Sequence, residues 1–313
     1  MAVRTPLAID RTIQLMINGS DQRIRICAAR AGLPPLLVVQ AGPALPMLHE
    51  VTKFQRLLNL ERDFLVAYWE QRGCGDAPQK DAKSASLPQQ VEDLRSVLQW
   101  LHADTKQRVI LLGISIGGTM VLQTVERDAD RAKAVIAVSP DAQTTSSDAY
   151  SYAFLREQAR HANSRRLSRR VLKLGRPPYV DTTAFQRRAS LLCDLGTIEY
   201  GKTFPALFRE MLFNMIRTYG VFGAVRALRN MNIVQRQLLP EIGSLDLFAN
   251  PPRVAIPVHY VFGERDALTP ASIAERLPSA IGAPAGTVVR VPNAGHMVHF
   301  DRPDIVRSIV EAA

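Results

Sequence analysis

The sequence is poor in cysteine and has no long apolar run, and both absences limit what the protein can be. Its 313 residues include only three cysteines, Cys27, Cys74 and Cys193, which lie far apart. An odd number of widely spaced cysteines argues against a disulfide framework and fits a reducing compartment. No stretch reaches the roughly 20 consecutive apolar residues that a membrane-spanning helix needs. We therefore expect neither a disulfide-bonded secreted domain nor a membrane protein.

The amino-terminal segment MAVRTPLAIDRTIQ lacks the apolar core and the cleavage site of a secretion signal. The sequence has no internal repeats and no low-complexity tract. Its length suits one large domain or a domain with an insertion, and its composition is that of an ordinary globular protein. We therefore expect a cytoplasmic globular protein, and the sequence leaves its oligomeric state open.

Positive charge is in excess, with a formal net charge of +10, and it is unevenly distributed. The segment 141–250 contains 16 Lys and Arg against nine Asp and Glu, so it carries seven of the ten excess charges. Its densest part, RRLSRRVLKLGR, is typical of a solvated helix face. The sequence has no zinc-ligand spacing and no aromatic residues interleaved with the basic ones, which are the patterns that indicate nucleic-acid binding. We expect no nucleic-acid partner and no membrane partner; binding of an anionic surface is the alternative that the charge leaves open.

Apolar runs that alternate with helical patterns predict an α/β fold. RTIQLMI and RIRICAA alternate polar and apolar residues around Asn18 and Gly19, which predicts an antiparallel hairpin. Continuous apolar runs predict strands buried on both faces, namely LLVV, FLVAYW, VILLG, AVIAVSP, PVHYVFG and GTVVRVP. Helical patterns occur in SLPQQVEDLRSVLQWL, which follows a Ser86 cap, and in TMVLQTVERDA, SIAERLPSAI and DIVRSIVEAA. This order predicts a mostly parallel, doubly wound sheet.

The alternation stops between about residues 141 and 250, where the pattern is helical and rich in arginine. No buried-strand run occurs there, and the strand pattern resumes at PVHYVFG. We therefore predict an α/β core of residues 1–140 and 251–313 with an inserted helical cap of residues 141–250.

The segment GISIGG, residues 113–118, contains the pattern G-x-S-x-G with Ser115 at its centre. A predicted buried strand precedes it and a predicted helix follows it, which is the setting of a nucleophile elbow. Such a turn crowds the strand against the helix, so it needs residues without side chains, and free N–H groups at the start of the helix stabilise a developing oxyanion. We therefore predict Ser115 as a nucleophile; the alternative is an incidental serine in a glycine-rich turn.

A serine hydroxyl needs a base, and the base needs an acid that orients it. Beside a nucleophile elbow, the expected order along the chain is serine, acid, histidine. Asp266 follows a predicted strand in FGERDALTP, and His296 follows one in PNAGHMVHFDRP. Like Ser115, both lie at carboxyl ends of strands, where sites in open α/β sheets form. The sequence thus predicts a triad of Ser115, Asp266 and His296.

Each role has a rival in the sequence. Glu264 lies two residues before Asp266, and we expect it to point elsewhere. Asp141 follows the predicted strand AVIAVSP and is an alternative acid. His299 lies three residues after His296, and we expect it to be a packing or surface histidine.

These motifs resemble those of the α/β-hydrolase fold, and EQRGCGDAP, Glu70–Pro78, resembles the DQRGCG-x-S loop of proline iminopeptidase-like hydrolases. That family carries HGGPG after its third strand, where this chain has QAGPA at residues 40–44. The resemblance covers residues 11–140 and 251–313 and does not cover the helical segment between them. It implies a serine hydrolase, for which we expect no cofactor and no metal ion.

The resemblance also implies an oxyanion hole. The HGGPG loop contributes a backbone N–H at the position of Gly42, and the residue after the nucleophile, Ile116, contributes the other. Gln40 replaces the histidine of the loop and can still donate a hydrogen bond that holds it. Ala41 and Ala44 replace glycines, and if either needs a positive φ the strain is about 1 kcal/mol or more.

The substrate is less well defined by the sequence than the chemistry. Iminopeptidases pair the substrate's amine with cap glutamates, and this cap has Glu157, Glu199, Glu210 and Glu241, none within a family motif. We take Gln40 and Glu210 as the candidate substrate-binding residues. An arginine-rich cap is better suited to a neutral or anionic ligand than to a cationic amine.

The sequence therefore predicts a hydrolase that cleaves an amide or ester bond through an acyl-enzyme on Ser115, in a small molecule or a short peptide. The family resemblance favours a proline iminopeptidase-like peptidase. The altered loop and cap favour a small-molecule ester, lactone or amide hydrolase, or an acyl-transferring enzyme of a biosynthetic pathway. A homologue that binds a ligand without turnover is the third alternative, because the HGGPG signature is lost.

Overall fold

The structure, a computed structural model, describes residues 6–313. The first five residues of the segment in which we expect no secretion signal lie outside the described residues. Within residues 6–313 the sheet has eight strands, β1 to β8, which span Ile9–Ile17, Ser20–Ala28, Pro35–Val39, Leu65–Glu70, Val109–Ile114, Ala132–Val138, Val258–Gly263 and Val288–Val291.

The strands lie in the order β1-β2-β4-β3-β5-β6-β7-β8. β1 and β2 form the predicted antiparallel hairpin, β2 is also antiparallel to β4, and all other neighbours are parallel. Val39 pairs with Gly113, and Ile114 pairs with Val138, so the carboxyl ends of β3, β5 and β6 lie side by side. The predicted fold class, a mostly parallel α/β sheet, is confirmed.

The helices α1 to α12 span, in chain order, Val51–Leu57, Gln79–Lys83, Leu87–Thr105, Ile116–Asp128, Thr144–His161, Arg165–Leu174, Thr182–Asp194, Phe204–Gly243, Ala271–Ala274, Leu277–Ile281, Val298–Asp301 and Pro303–Ala312, and a 3-10 turn spans Leu60–Arg62. Ser86 caps α3 as predicted, and its side chain accepts a hydrogen bond from the N–H of Gln89. The prediction of one helix in SIAERLPSAI is wrong. The segment forms α9 and α10, because Pro278 has no N–H with which to continue α9.

Both faces of the sheet are buried, as the continuous apolar runs predict. Leu36 and Val38 of β3 belong to one apolar cluster, which includes side chains of α1 and α12. Leu37 and Val39 belong to a second cluster, which includes side chains of α3 and α4. Successive side chains of a strand point to opposite faces, so each apolar run packs against two helical layers. None of the helices in the described part of the chain is long and apolar enough to cross a bilayer.

Helices α5 to α8 lie between β6 and β7, and we call residues 144–243 the helical insertion. α5, α6 and α7 pack around an apolar cluster that includes Leu155, Val171 and Leu192, whereas Val234 and Leu238 of α8 belong to the cluster that contains Leu37 and Val39. α8 is interrupted at Gly220, where a φ of 71° departs from helical geometry. The segment is helical, and the division into a core and a cap domain at residues 141 and 250 stays a prediction.

Candidate active site

Ser115 lies in a tight turn between β5 and α4. Its backbone has φ 54° and ψ −128°, a region that side-chain-bearing residues rarely adopt and that stores strain at functional sites. The turn is closed by glycines: a Cβ on Gly113 would lie 2.7 Å from the carbonyl oxygen of Gly117, and a Cβ on Gly117 would lie 2.5 Å from that of Val39. The local geometry is therefore that of a nucleophile elbow, with the serine at the amino end of a helix.

His296 and Asp266 form a hydrogen-bonded pair at the same edge of the sheet. Nδ1 of His296 lies 2.8 Å from Oδ2 of Asp266, and both residues are buried. Oδ1 of Asp266 accepts the backbone N–H groups of Leu268 at 2.8 Å and Thr269 at 2.9 Å. With its oxygens held in this way, the carboxylate fixes the orientation of the imidazole ring.

Thr269 contacts both members of this pair, and the sequence did not predict it as a site residue. Its hydroxyl donates to Oδ2 of Asp266 at 2.7 Å and lies 3.1 Å from Nδ1 of His296. Thr269 is buried, so the hydroxyl strengthens the hold on the carboxylate in a place that bulk water does not reach. No motif signals this role, because a threonine after GERDAL reads as an ordinary loop residue.

The pKa of His296 is raised above its ordinary value. Burial lowers the pKa, but the Asp266 carboxylate and the negative charge of Asp141 together outweigh burial. A proton on Nδ1 is held by Asp266, which leaves Nε2 as the basic nitrogen. The pair is therefore arranged as a general base and the acid that orients it.

The Ser115 hydroxyl is bonded to Asp141, which the sequence offered only as an alternative acid. Oγ of Ser115 donates to Oδ2 of Asp141 at 3.1 Å, and within residues 6–313 no hydrogen bond joins Ser115 to His296. The backbone carbonyl of Asp141 accepts the Thr119 hydroxyl of α4 at 2.7 Å, which fixes Asp141 beside the elbow. Burial raises the pKa of Asp141 above its ordinary value, although the charge of His296 and the Ser115 hydroxyl oppose this shift.

The two predicted oxyanion donors are adjacent. A Cβ on Gly42 would lie 2.9 Å from Cγ2 of Ile116, so glycine is needed where the loop packs against the elbow. Gly42, Ile116 and Ser115 line one cavity. Of the two alanines that replace family glycines, Ala44 is the one with a positive φ, at 67°, and this left-handed backbone costs about 1–2 kcal/mol for a residue with a Cβ.

Gln40 holds this loop instead of lining the cavity. Its Oε1 accepts the N–H of Ala41 at 2.9 Å, its Nε2 donates to Glu50 at 2.6 Å, and its carbonyl accepts Nε2 of Gln71 at 3.2 Å. Gln40 is buried and is not among the residues that line the cavity around Ser115. Its side chain therefore restrains the backbone that carries Gly42.

Glu210 also lies away from the cavity around Ser115. Its carboxylate pairs with Lys53 of α1 at 3.2 Å and with Lys202 at 2.9 Å. Burial raises the pKa of Glu210, but these two lysines outweigh burial and lower the pKa below its ordinary value. Glu210 thus belongs to an ion-pair cluster, which also contains the buried Glu199 and joins the helical insertion to α1.

The family-like loop EQRGCGDAP supports the oxyanion side of the site. Oε2 of Glu70 accepts the backbone N–H groups of Met47 at 2.5 Å and Leu48 at 3.0 Å, which follow the QAGPA loop. Oε1 of Glu70 accepts the hydroxyl of Tyr219 on α8 at 2.6 Å. This carboxylate therefore links the oxyanion loop to the helical insertion.

The remaining sequence rivals lie outside the cavity. Glu264 is exposed, as expected. His299 is fully buried and stacks on Phe54 with ring centroids 5.2 Å apart, and burial lowers its pKa well below the ordinary value. His299 is thus a packing histidine that stays neutral near pH 7.

The helical insertion covers Ser115, which is only 2% exposed, and encloses a cavity of about 30 Å³. This is room for two or three water molecules, so a substrate enters only when covering side chains or helices move. Together with Ser115, the lining residues are Gly42, Pro43, Ile116, Asp141, Thr144, Ser147, Asp148, Tyr179, Phe185, Arg188, Leu239, Ile242, Gly243 and Leu268.

A buried ion pair forms one wall of the cavity. Arg188 of α7 pairs with Asp148 of α5, whose Oδ2 also accepts the backbone N–H of Tyr179 at 3.0 Å. The guanidinium lies over the rings of Tyr179 and Phe185, at 5.2 and 5.4 Å from their centroids. Arg188 is 5% exposed, and its Nε has no hydrogen-bond partner among the described residues. No sequence motif marks this pair. Among residues 6–313, no group of three or more His, Cys, Asp or Glu side chains is placed to hold a metal ion.

Comparison with known proteins places this geometry in a family. A family model described as the alpha/beta hydrolase fold matches residues 34–303. The chain is 25% identical to the probable aminopeptidase YbaC of Bacillus subtilis, over 97% of this chain and 94% of that one. Two solved structures share its fold. A proline iminopeptidase-related protein of Thermus thermophilus has a TM-score of 0.61 at 20% identity, over 97% of this chain and 96% of that one. The proline iminopeptidase of Mycobacterium smegmatis has a TM-score of 0.67 at 17% identity, over 96% and 97%. The chain therefore belongs to the α/β-hydrolase fold family and resembles its proline iminopeptidase-like proteins.

Proposed function

We propose that this protein is a serine hydrolase that cleaves an amide or ester bond through an acyl-enzyme on Ser115. The observation that carries the proposal is the convergence of a strained elbow serine with the buried His296–Asp266 pair, whose 2.8 Å hydrogen bond orients the base. Asp141, which bonds Ser115, is also close enough to raise the pKa of His296, so all three groups share one site.

In the proposed reaction, Ser115 turns from Asp141 to His296 and transfers its proton to Nε2 as Oγ attacks the carbonyl carbon. The electron pair of the carbonyl moves to its oxygen, which accepts the N–H groups of Gly42 and Ile116. His296 then gives the proton to the leaving amine or alcohol, and the acyl-enzyme forms. Water, activated by His296 in turn, releases the acid and restores Ser115.

For the substrate we propose an aminopeptidase-like cleavage, in which the acyl group carries a free amine. The 25% identity to a probable aminopeptidase along almost the whole chain supports this class. An amine-bearing substrate needs a carboxylate in the cavity, and two are present, Asp141 and Asp148. Asp148 is already paired with Arg188, so Asp141 is the one that remains for the substrate.

A second candidate is hydrolysis or acyl transfer on a small-molecule ester, lactone or amide. The position of Arg188 in the cavity wall favours it, because an arginine is a poor neighbour for a cationic substrate and a good one for a neutral or anionic group. Under either candidate we propose a cytoplasmic enzyme with a cap of residues 141–250, a small molecule or short peptide as its partner, and neither a nucleic-acid nor a membrane partner.

Labelling with a fluorophosphonate probe tests the nucleophile. We expect Ser115→Ala to abolish both labelling and turnover, whereas Ser308→Ala, which removes a serine hydroxyl on the exposed side of α12, leaves both intact. Full labelling of Ser115→Ala would refute the assignment. A panel of proline p-nitroanilide and p-nitrophenyl acyl esters then separates the two candidates: turnover of the anilide alone favours the peptidase, and turnover of the esters alone favours the second candidate.

A further inference from the structure

Within residues 6–313, Asp141 is the one charged group of the cavity wall that has no opposite charge bound to it. Arg188 and Asp148 neutralise each other, and His296 is bonded to Asp266. No ion pair among the residues that the structure describes includes Asp141, whose Oδ2 accepts only the hydroxyl of Ser115. The charged groups that face it are His296 and Arg188, whose positive charges favour its ionised form, and Asp266, whose negative charge opposes it.

Without a bound positive charge, a carboxylate at this position is unfavourable for catalysis by a serine triad. Its 3.1 Å hydrogen bond with Ser115 keeps the hydroxyl proton away from His296, and its charge opposes the negative charge that develops on the attacked carbonyl. A partly buried carboxylate without an opposite charge also carries a desolvation cost. A positive charge that arrives with the substrate removes all three disadvantages.

The distances fit the α-ammonium of an aminoacyl group. In such a group the nitrogen is one carbon away from the carbonyl carbon, a separation of about 2.5 Å from standard bond lengths and angles. A carbonyl carbon poised for attack lies about 3–3.5 Å from the serine oxygen. These separations allow the ammonium of a bound substrate to lie within hydrogen-bond reach of a carboxylate oxygen that is itself 3.1 Å from Oγ of Ser115.

We propose that Asp141 is the binding subsite for the substrate's α-ammonium group, and that this binding switches the Ser115 hydroxyl from Asp141 to His296. The ammonium donates an N–H to the carboxylate in place of the serine O–H. The freed hydroxyl then donates to Nε2 of His296, which takes the proton as the bond from Oγ to the carbonyl carbon forms. The proposal rests on the proposed serine-hydrolase function and narrows its substrates to aminoacyl amides and esters with a free, protonated amine.

This subsite differs from the one that the family resemblance implies, in which cap glutamates bind the substrate's amine. Glu210 is paired with Lys53 and Lys202, and Glu199 is buried in the same cluster, so neither carboxylate is free for an amine. Asp141 belongs to the end of β6 and is fixed by α4, so it stays beside the nucleophile whatever the helical insertion does. One carboxylate thus both selects an amine-bearing acyl group and, once that group is bound, leaves the Ser115 hydroxyl able to donate to His296.

The test compares two substrates on Asp141→Asn, which keeps the shape of the side chain and removes its charge. For L-alanine p-nitroanilide, whose amine is free, we expect kcat/KM to fall by about 10- to 100-fold, the loss of one charged hydrogen bond. For p-nitrophenyl acetate and for fluorophosphonate labelling we expect no comparable loss, because neither reagent has an ammonium group for Asp141 to bind. Glu157→Gln is the matched control, since it removes an exposed carboxylate of α5, and both substrates should react at wild-type rates.

Other outcomes would overturn the proposal in different ways. An equal loss on both substrates would mean that Asp141 acts only through His296, and unchanged selectivity would mean that no ammonium binds there. Retained fluorophosphonate labelling of Asp141→Asn shows that the variant is folded, so a fold defect cannot imitate the expected result. Failure of the underlying function has a separate signature: a wild-type protein that turns over neither substrate and takes no label refutes the serine-hydrolase function itself.

Discussion

Ser115 donates its hydroxyl hydrogen to Asp141 across 3.1 Å, so the proposed nucleophile is bonded to the acid that follows β6. The base that it needs, His296, follows β8 and is held by Asp266. In the proposed mechanism, two carboxylates therefore act on one serine–histidine couple: Asp266 orients the base, and Asp141 holds the nucleophile and adds negative charge beside the base. The two roles have different consequences for pH dependence and for mutation.

The pH profile of hydrolysis reports the charge around His296. The histidine accepts a proton only in its neutral form, and its pKa is raised above 6.5, mainly by Asp266 and also by Asp141. We therefore expect kcat/KM for an ester substrate to rise with pH and to reach half its plateau above pH 6.5. Asp141→Asn removes one of the charges that raise the pKa, so the midpoint should move to lower pH. A midpoint that moves upward or stays unchanged would show that Asp141 does not act on His296.

Thr269→Val tests the hydroxyl that bridges Asp266 and His296. The substitution removes a 2.7 Å hydrogen bond to the carboxylate and leaves the volume of the side chain nearly unchanged. We expect kcat to fall about tenfold, which corresponds to one hydrogen bond to a charged group, whereas Asp266→Asn should lower kcat by about 10⁴ because the amide favours the wrong tautomer of the imidazole.

Thr124→Val is the matched control for this experiment. Thr124 lies on α4, and its buried hydroxyl has no hydrogen-bond partner within residues 6–313. The same exchange should therefore leave kcat unchanged and stabilise the fold slightly, because an unsatisfied polar group is removed. Equal kinetic effects of the two valine variants would refute a special role for Thr269.

Two opposite substitutions test the oxyanion loop: Gly42→Ala adds a methyl group, and Ala44→Gly removes one. In Gly42→Ala the new Cβ would lie 2.9 Å from Ile116 and 3.1 Å from the backbone nitrogen of Ala44, so the loop must shift and its N–H turns away. We expect kcat to fall by about 10²–10³, the usual effect of losing one oxyanion donor, while the unfolding midpoint changes little.

Ala44→Gly changes the same loop in the opposite direction. It relieves a φ of 67°, and the relief of about 1–2 kcal/mol is partly offset by the greater freedom of glycine in the unfolded chain. We expect wild-type kcat and a free energy of unfolding that is equal or slightly higher. A large loss of kcat in Ala44→Gly would show that the alanine methyl, and not the backbone of Gly42, determines the hole.

The sheet and the elbow could be predicted because their signals are local. The continuous apolar run LLVV places alternate residues in two apolar clusters, and a glycine-flanked serine between a strand and a helix permits few backbone shapes. The order of Asp266 and His296 along the chain followed from the same reasoning. The break in the helix near Pro278 was not predicted. The apolar residues have helical spacing, but Pro278 has no N–H with which to continue the preceding helix.

The lining of the cavity could not be predicted, because it depends on how the helical insertion lies on the core. Arg188 and Asp148 are 40 residues apart and come from different helices, and nothing in the pattern of either helix marks the pair. The negative charge of Glu210 makes it a candidate for binding a substrate amine. The lysine of α1 that neutralises this charge lies in a distant part of the chain, so the sequence does not predict their pairing. The bond from Ser115 to Asp141 depends on the pairing of β5 with β6, which is a property of the sheet and not of either segment.

The cysteines provide a test of the core that is independent of activity. All three are buried and unpaired, and burial raises the pKa of Cys27 and Cys193 to about 12 and that of Cys74 well above its ordinary value. At pH 8 a thiol with a pKa near 12 is about one part in ten thousand thiolate, the reactive form. We expect no reaction with a disulfide reagent in the native protein and three thiols per chain after unfolding in guanidinium. Rapid reaction of one thiol in the native protein would contradict this packing.

The ion pair of Arg188 and Asp148 contributes to stability only as a pair. Arg188→Met leaves the Asp148 carboxylate buried without its counter-charge, and breaking a buried pair in this way typically costs about 3–5 kcal/mol. The burial that already raises the pKa of Asp148 would then be opposed only by the hydrogen bond from the Tyr179 N–H, so the variant should recover stability as the pH falls and Asp148 becomes protonated. Urea unfolding at pH 7.5 and pH 5 measures both effects.

Arg188→Met combined with Asp148→Asn removes the stranded charge and keeps an oxygen for the N–H of Tyr179. We expect the double variant to be more stable than Arg188→Met at pH 7.5 and to lose the pH dependence, because a neutral amide has no proton to gain. Arg169→Met, which removes an exposed arginine of α6, is the control and should stay within about 0.5 kcal/mol of the wild type. If the double variant were as unstable as Arg188→Met, the arginine would stabilise the helical insertion through its contacts with Tyr179 and Phe185, and not by neutralising Asp148.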